Sequence, residues 1–246
     1  GIKHIVLDLA EDFKKIVMKN FKEEYLAGRT PNPCVRCNNY IKFGLMPDAA
    51  KMQGIEFDYF ATGHYARIEF SEKYNQYVLK RGVEPKKDQT YFLYRLTKEQ
   101  LAKTLMPIGK FTKAETREQA KKYGLIVHDK PDSQDFYSGD YNDLIDEPIR
   151  QGNIVDINGK ILGHHLGFWN YTLGQRRGLG VAYSEPLYVI ALKPETNEVV
   201  VGVEKNVFDS GCIVEDLNFI LPKPSVGDKL QAKIRSAGQP MDAIIK

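Results

Sequence analysis

Near Gly139 the sequence changes its grammar, and that change limits what the chain can fold into. Before it, short β-branched apolar runs alternate with apolar residues at helical spacing; after it, helical periods fade and glycine-punctuated strands take over. This order predicts an α/β part followed by β-rich parts. At 246 residues the chain exceeds the usual single-domain size, and the predicted divisions are 1–138, 139–205 and 206–246. No run of eighteen apolar residues occurs, which excludes an apolar membrane-spanning helix, and no charged-then-apolar leader opens the chain. Three cysteines, an odd number, fit a reducing cytoplasm better than a disulfide scaffold. The net charge of +3 is too small to announce nucleic-acid binding but permits local basic patches. The first residues, Gly1-Ile2-Lys3, lack Met and read as strand, as do Ile244-Ile245-Lys246. A longer protein is expected on both sides.

Two of the cysteines stand in Gly28-Arg29-Thr30-Pro31-Asn32-Pro33-Cys34-Val35-Arg36-Cys37-Asn38-Asn39. Pro31 and Pro33 fix their own φ and bias Thr30 and Asn32 toward extended backbone, so a held loop is expected. If the chain turns helical after Cys37, the thiols lie at a helix N-terminus, where the dipole and Arg36 favour a thiolate. Four readings of the C-x-x-C stand side by side: inert thiols, a thioredoxin-like redox pair, half of a zinc site, or a sulfur or acyl carrier. The Pro-rich approach argues against the redox pair. No second C-x-x-C or C-x-x-H completes a zinc site.

Ile2–Leu9 reads as a buried strand, and Phe13, Ile16, Val17, Phe21 and Tyr25 as one face of a helix that Gly28 ends. A second helix is predicted over 43–53, with Pro47 in its first turn. Residues 57–62 read as a strand running into Gly63 and His64, at the kind of strand exit where α/β ligands gather. A hairpin is predicted over 66–81, and helices are predicted to start at Thr97 with Gln100 and at Thr112 with Glu115. Lys86, Lys87, Asp88 and Gln89 are either a solvated surface or a phosphate and base contact. The loop 130–140 is dense in Asp, Ser and Gly. Beyond it come a hairpin turning at Ile157-Asn158-Gly159, strands over 187–192 and 199–203, and strands near Ile213, Leu217–Leu221 and Leu230–Ile234 of an incomplete barrel. His164 and His165 are adjacent and point to opposite faces, so no metal site is assigned. Gln175-Arg176-Arg177 framed by glycines suits RNA phosphate.

Four collinear strings, GRTPNPCVRCN, ATGHY, KKDQTYFLY and YTLGQRRGLG, resemble the tRNA-specific 2-thiouridylases over the whole chain. The resemblance implies an adenine-nucleotide α-hydrolase-like (PP-loop ATPase) domain over 1–138, incomplete, then a small central tRNA-binding β-rich domain and a partial β-barrel. It implies ATP-dependent replacement of the C2 oxygen of the wobble uridine by sulfur, through an adenylated intermediate and a cysteine nucleophile. It further implies ATP with Mg²⁺, tRNA acceptors for Lys, Glu and Gln, and a persulfide-donating relay protein. By position, Cys37 matches the nucleophile, Asn32, Pro33 and Cys34 the target-base contact, and Gly63 an ATP contact with His64 beside it. Lys87, Asp88, Gln89 and Arg235 match tRNA contacts, to which the reading of the loop adds Arg176.

Three departures qualify the match. The family's S-G-G-x-D-S pyrophosphate loop is not among the 246 residues, so the polypeptide as given is expected to bind ATP poorly. The expected persulfide cysteine falls in Ser133-Gln134-Asp135-Phe136-Tyr137, at Tyr137, and a phenol carries no persulfide. Cys34 stands where many relatives have Asp. Cys34 and Cys37 are therefore read as a working pair closing a disulfide, the alternative being ligands of an iron-sulfur cluster. An RNA-binding module without catalysis and a dithiol oxidoreductase are the competing functions.

Overall fold

The computed structural model describes residues 2–130, 136, 137, 139 and 141–246. The chain divides into two compact units, each assembled from separate stretches. One comprises 1–13, 34–134 and 216–246, the other 14–33 and 135–215. Ten strands occur among the described residues: β1 (Phe60–Ala61), β2 (Ala66–Ser71), β3 (Gln76–Arg81), β4 (Thr104–Leu105), β5 (Gly152–Val155), β6 (Ile161–His165), β7 (Leu187–Lys193), β8 (Glu198–Val203), β9 (Lys229–Ala232) and β10 (Met241–Ile244).

The first unit is built from short elements. β1, within the predicted 57–62 strand, pairs in parallel with β4, Phe60 opposite Thr104, a partner the sequence pattern does not offer. β2 and β3 form the predicted hairpin. Helices Lys98–Ala102 and Lys113–Lys122 each start with a capping box, in which Thr97 exchanges bonds with Gln100 and Thr112 with Glu115. The core gathers Phe43, Ala66, Leu93, Leu96, Leu101 and Met106.

Two expectations fail here. Ile2–Leu9 forms no strand, and Ile2 and Val6 are exposed. An apolar β-branched run becomes a strand only where another strand pairs with it, and among the described residues none does. Likewise Ile213–Val214 and Leu217–Leu221 are not strands, and the block 216–246 carries only the β9–β10 hairpin. Its 217–221 stretch is fastened by side chains instead. Asn218 Nδ2 donates to the carbonyls of Tyr94 and Leu96, and Gln76 Nε2 donates to that of Ile220, whose side chain packs on the core.

The second unit is a four-stranded sheet of order β6-β5-β8-β7, antiparallel except for the parallel β5–β8 pair. Ile154, Leu187, Val189, Val199 and Val201 alternate inward from it and meet Phe168, Trp169 and Phe21. Phe21 comes from the predicted helical stripe, realised as Lys19–Leu26 after a π-type turn over Lys14–Met18. Gly28 closes that stripe with φ +71, as glycine does at a helix end. At the β5 edge, Gly152 lies where a Cβ would come within 2.1 Å of the Asn197 carbonyl oxygen, so only glycine lets β5 approach.

Candidate functional site

The cysteines lie on a helix that starts earlier than the proline pattern suggests. Pro33–Arg36 is α-helical, Cys37–Leu45 is π-type, and Met46–Met52 returns to α geometry. The expected held loop over 33–37 is therefore corrected: Pro33 occupies a first helical position, where its missing N–H costs nothing and its fixed φ suits the helix. Cys34 and Cys37 sit one turn apart on it, both as half-buried thiols.

Pro47 falls in the first turn of the α-helical stretch Met46–Met52, as expected, although the chain is already helical before it. Its ring removes the donor that the Phe43 carbonyl would otherwise receive. Gln100 Nε2 fills the gap, donating to Phe43 O at 3.0 Å and to Asn39 O at 3.2 Å. Asn38 and Asn39 bolt the same helix to the next segment, donating from Nδ2 to Phe92 O at 3.1 Å and to Arg95 O at 2.6 Å. Asn38 is buried, and its Oδ1 has no hydrogen-bond partner among the described residues.

The electrostatics of Cys37 also differ from the expectation. Burial pushes its thiol up, the positive charge of Lys42 pulls it down, and Cys34 pushes it up slightly. The helix terminus does not by itself make a resting thiolate, because desolvation dominates. Lys42 acts on His64 too. Burial and Lys42 hold that imidazole down at about 4, so it is neutral near pH 7. His64 Nδ1 is 2.9 Å from the Thr62 hydroxyl, and its ring lies 5.6 Å from that of Phe43. Lys42 thus lies within electrostatic reach of both Cys37 and His64, and His64 follows the end of β1 beside exposed Gly63. A Cβ on Gly63 would meet nothing nearer than Ile108 Cδ1 at 3.8 Å, so packing does not require glycine there.

The other expected contacts divide. Asp88 accepts from the Gly82 and Thr90 amides and the Thr90 hydroxyl, at 3.0, 3.4 and 2.7 Å. Gln89 accepts from the Tyr65 amide with its side chain and returns its own N–H to Tyr65 O. These two shape the loop that carries half-buried Lys87. Arg235 is exposed near Tyr91, whose hydroxyl donates to Ile234 O at 2.9 Å.

In the second unit, Asn32 and Pro33 are half-buried and Arg176 is exposed. Its loop is framed as read from the sequence: Gly174, Gly178 and Gly180 have φ of +78, +75 and +70, and Leu179 is buried as an anchor. Of the 133–137 loop, residues 133–135 lie outside the described residues. Tyr137 is described, and its ring stands where a Cβ on Gly139 would be. Sequence reasoning missed Asn38, Asn39 and Lys42; the only signal was their place just after the cysteines.

Residues 1–137 match the family model described as the tRNA methyl transferase HUP domain, and residues 144–203 the tRNA methyl transferase PRC-barrel domain. A tRNA-specific 2-thiouridylase MnmA of Endomicrobium trichonymphae is 49% identical over 244 residues, covering 98% of this chain and 68% of the relative. The chain belongs to the tRNA-specific 2-thiouridylase family. Proteins of the same name from Carboxydothermus hydrogenoformans and Acetivibrio thermocellus are 45% and 46% identical, each covering 100% of this chain and 69% and 70% of the relative. The HUP match bears out the PP-loop ATPase-like reading of the N-terminal part. Among the described residues no three His, Cys, Asp or Glu side chains gather to hold a metal, and no helix is long and apolar enough to cross a membrane.

Proposed function

We propose that the protein transfers sulfur to C2 of the wobble uridine, position 34, of tRNA, with Cys34 and Cys37 as the working thiols. Family membership supports the substrate, and the pairing of both thiols on one helix face beside Lys42 carries the mechanism. The C2 carbonyl is a poor electrophile, and ATP with Mg²⁺, as co-substrate, makes its oxygen a leaving group. The residues present fit a nucleotide in part. Gly63 leaves room at a strand end, whereas no S-G-G-x-D-S string occurs in the 246 residues, so no nucleotide step is assigned to this chain's side chains.

Tyr137 cannot hold a persulfide, so the sulfur is assigned to Cys34, loaded by a persulfide-donating relay protein. The terminal sulfur of the Cys34 persulfide attacks C2; a C–S bond forms, the C2–O bond breaks, and AMP leaves with its electron pair. The Cys37 thiolate then attacks Sγ of Cys34. The S–S bond of the adduct breaks, the uridine keeps the transferred sulfur with the electron pair, and a Cys34–Cys37 disulfide remains. A dithiol reductant returns both thiols with two electrons and two protons. Lys42 lowers the thiol of Cys37 against its burial, favouring the form that attacks. Asn32 and Pro33, which precede the thiols in the chain, are assigned to the target base, Lys87, Arg176 and Arg235 to tRNA phosphate, and tRNAs for Lys, Glu and Gln to the substrate set. The stretch 1–138 is assigned the chemistry, 139–205 and 206–246 the holding of tRNA, and the cytoplasm the setting.

Mass spectrometry of tRNA from cells lacking the gene tests this. Loss of 2-thiouridine, restored by the wild-type protein and not by Cys37→Ser, is expected. Unchanged 2-thiouridine on deletion overturns the reading. A second reading, an RNA-binding module without catalysis, is favoured only by Tyr137. Wild-type protein that binds tRNA but leaves the uridine unthiolated would establish it.

A further inference from the structure

An exposed run of tyrosines and cations begins one helical turn from Cys37. Tyr40 follows Cys37 by three residues on the same helix and is exposed, with the Arg36 guanidinium 5.2 Å from its ring centroid. Arg95 lies within electrostatic reach of both Tyr40 and Tyr94. Tyr94 is 49% exposed, and its ring is 6.5 Å from that of Tyr91, the two planes inclined at 65°. Tyr91 is fixed at its far end by its bond to Ile234 O, and Lys233 stands 5.9 Å from its ring centroid. Charge on this ledge is mostly positive. The acid facing it, Asp216, is engaged by Arg95 at 2.7 Å.

Two phenol rings left in solvent and a half-buried third, with Arg36 against Tyr40, Lys233 against Tyr91 and Arg95 within reach of Tyr94, make a poor core and a good platform. Nucleobases stack on such faces while lysine and arginine meet the phosphates. A paired duplex hides its base faces, so the occupant is single-stranded. We infer that Tyr40, Tyr94 and Tyr91 form a stacking ledge for unpaired bases of an RNA loop, with Arg36 and Lys233 on its backbone. This inference rests on the reading of the protein as a tRNA-modifying enzyme. It extends that reading by naming the surface that holds the bases flanking the target, a role the sequence strings did not assign to these tyrosines.

The test uses the protein and a fluorescent seventeen-nucleotide stem-loop RNA with a seven-base loop, read by anisotropy, beside a fully paired duplex of equal length. Tyr94→Leu and Tyr40→Leu are expected to weaken stem-loop binding roughly 5- to 100-fold each, with duplex binding unchanged. Tyr94→Phe, which keeps the ring, is expected to bind as wild type. Lys233→Ala is expected to reduce the slope of log affinity against log salt by about one. Wild-type affinity for the stem-loop in both leucine variants, with circular dichroism showing them folded, overturns the ledge. That failure is separable from failure of the functional reading: a Cys37→Ser protein that no longer thiolates beside Tyr40→Leu and Tyr94→Leu proteins that both bind normally sinks the ledge alone. Loss of stem-loop binding in Tyr94→Leu beside unimpaired thiolation by Cys37→Ser sinks the thiol mechanism and leaves the ledge standing.

Discussion

His64 and His165 are both buried, one in each compact unit, and burial holds both imidazoles below their ordinary range. Their surroundings differ. His165 has each ring nitrogen engaged by backbone: Nδ1 accepts from the Gly167 amide at 3.1 Å, so Nε2 carries the proton and donates to Asn197 O at 3.1 Å. That ring staples a sheet edge to a turn. His64 faces one hydroxyl, one aromatic ring and the charge of Lys42, next to an open glycine. The same residue type is saturated by backbone in one unit and surrounded by side chains and space in the other.

If that contrast is right, perturbing the His64 side should change chemistry and perturbing the His165 side should change stability. The largest effect expected is on turnover. Cys37→Ser should lower single-turnover thiolation by at least about 10³-fold, while Cys212→Ser, at an exposed residue, leaves it unchanged. Equal losses in both would erase the distinction.

On the other side, Asn197→Ala should cost roughly 2–3 kcal/mol in thermal unfolding. It removes Nδ2 bonds to the Arg150 and Gln151 carbonyls, at 3.2 and 2.8 Å, from a residue held at φ +54. Thiolation per folded molecule should stay at the wild-type level, and a variant as stable as wild type would show that the turn is not a fastener.

Acid should reveal His64. Its folded value is about 4 against an ordinary 6.5, so the unfolded chain binds the proton more readily. Stability is then greatest above pH 6.5 and falls as pH drops toward 4, by up to about 3 kcal/mol from this group. His64→Gln should flatten that slope in urea melts between pH 7 and 4. An unchanged slope, or an imidazole titrating near 6.5 by NMR, would contradict its burial.

The smallest effect is expected from Lys42→Met. Removing that charge leaves burial unopposed at Cys37, and iodoacetamide should alkylate the residue on the order of threefold more slowly at pH 8. Faster alkylation would reverse the sign of the argument.

Much of this organisation is written locally. The two capping boxes, the β2–β3 and β5–β6 hairpins and the glycine-framed Arg176 loop are all legible, because each depends on residues within a few positions of one another. Tertiary partners decide the rest. Ile2–Leu9 has the composition of a strand but no mate among the described residues, and Leu217–Leu221 is claimed by Asn218 and Gln76 bonds that span over a hundred residues. The helix start at Pro33 was hidden by the ordinary rule that prolines interrupt, and the reach of that helix past Pro47 depends on Gln100, 57 residues away from Phe43. The site shows the same split: Cys37 and Gly63 are visible in their strings, whereas the influence of Lys42 on both Cys37 and His64 exists only once the helix is docked.

Gln100 carries one last implication. Its Oε1 accepts from the Thr97 amide to begin one helix, while its Nε2 donates to two carbonyls of the helix that bears the thiols. A glutamate satisfies an ordinary capping box equally well. Here Gln100→Glu would keep the start of the first helix and press a negative oxygen against the Asn39 and Phe43 carbonyls of the second. The position tolerates only a side chain that gives and receives at once, so two helices distant in sequence are obliged to form as partners.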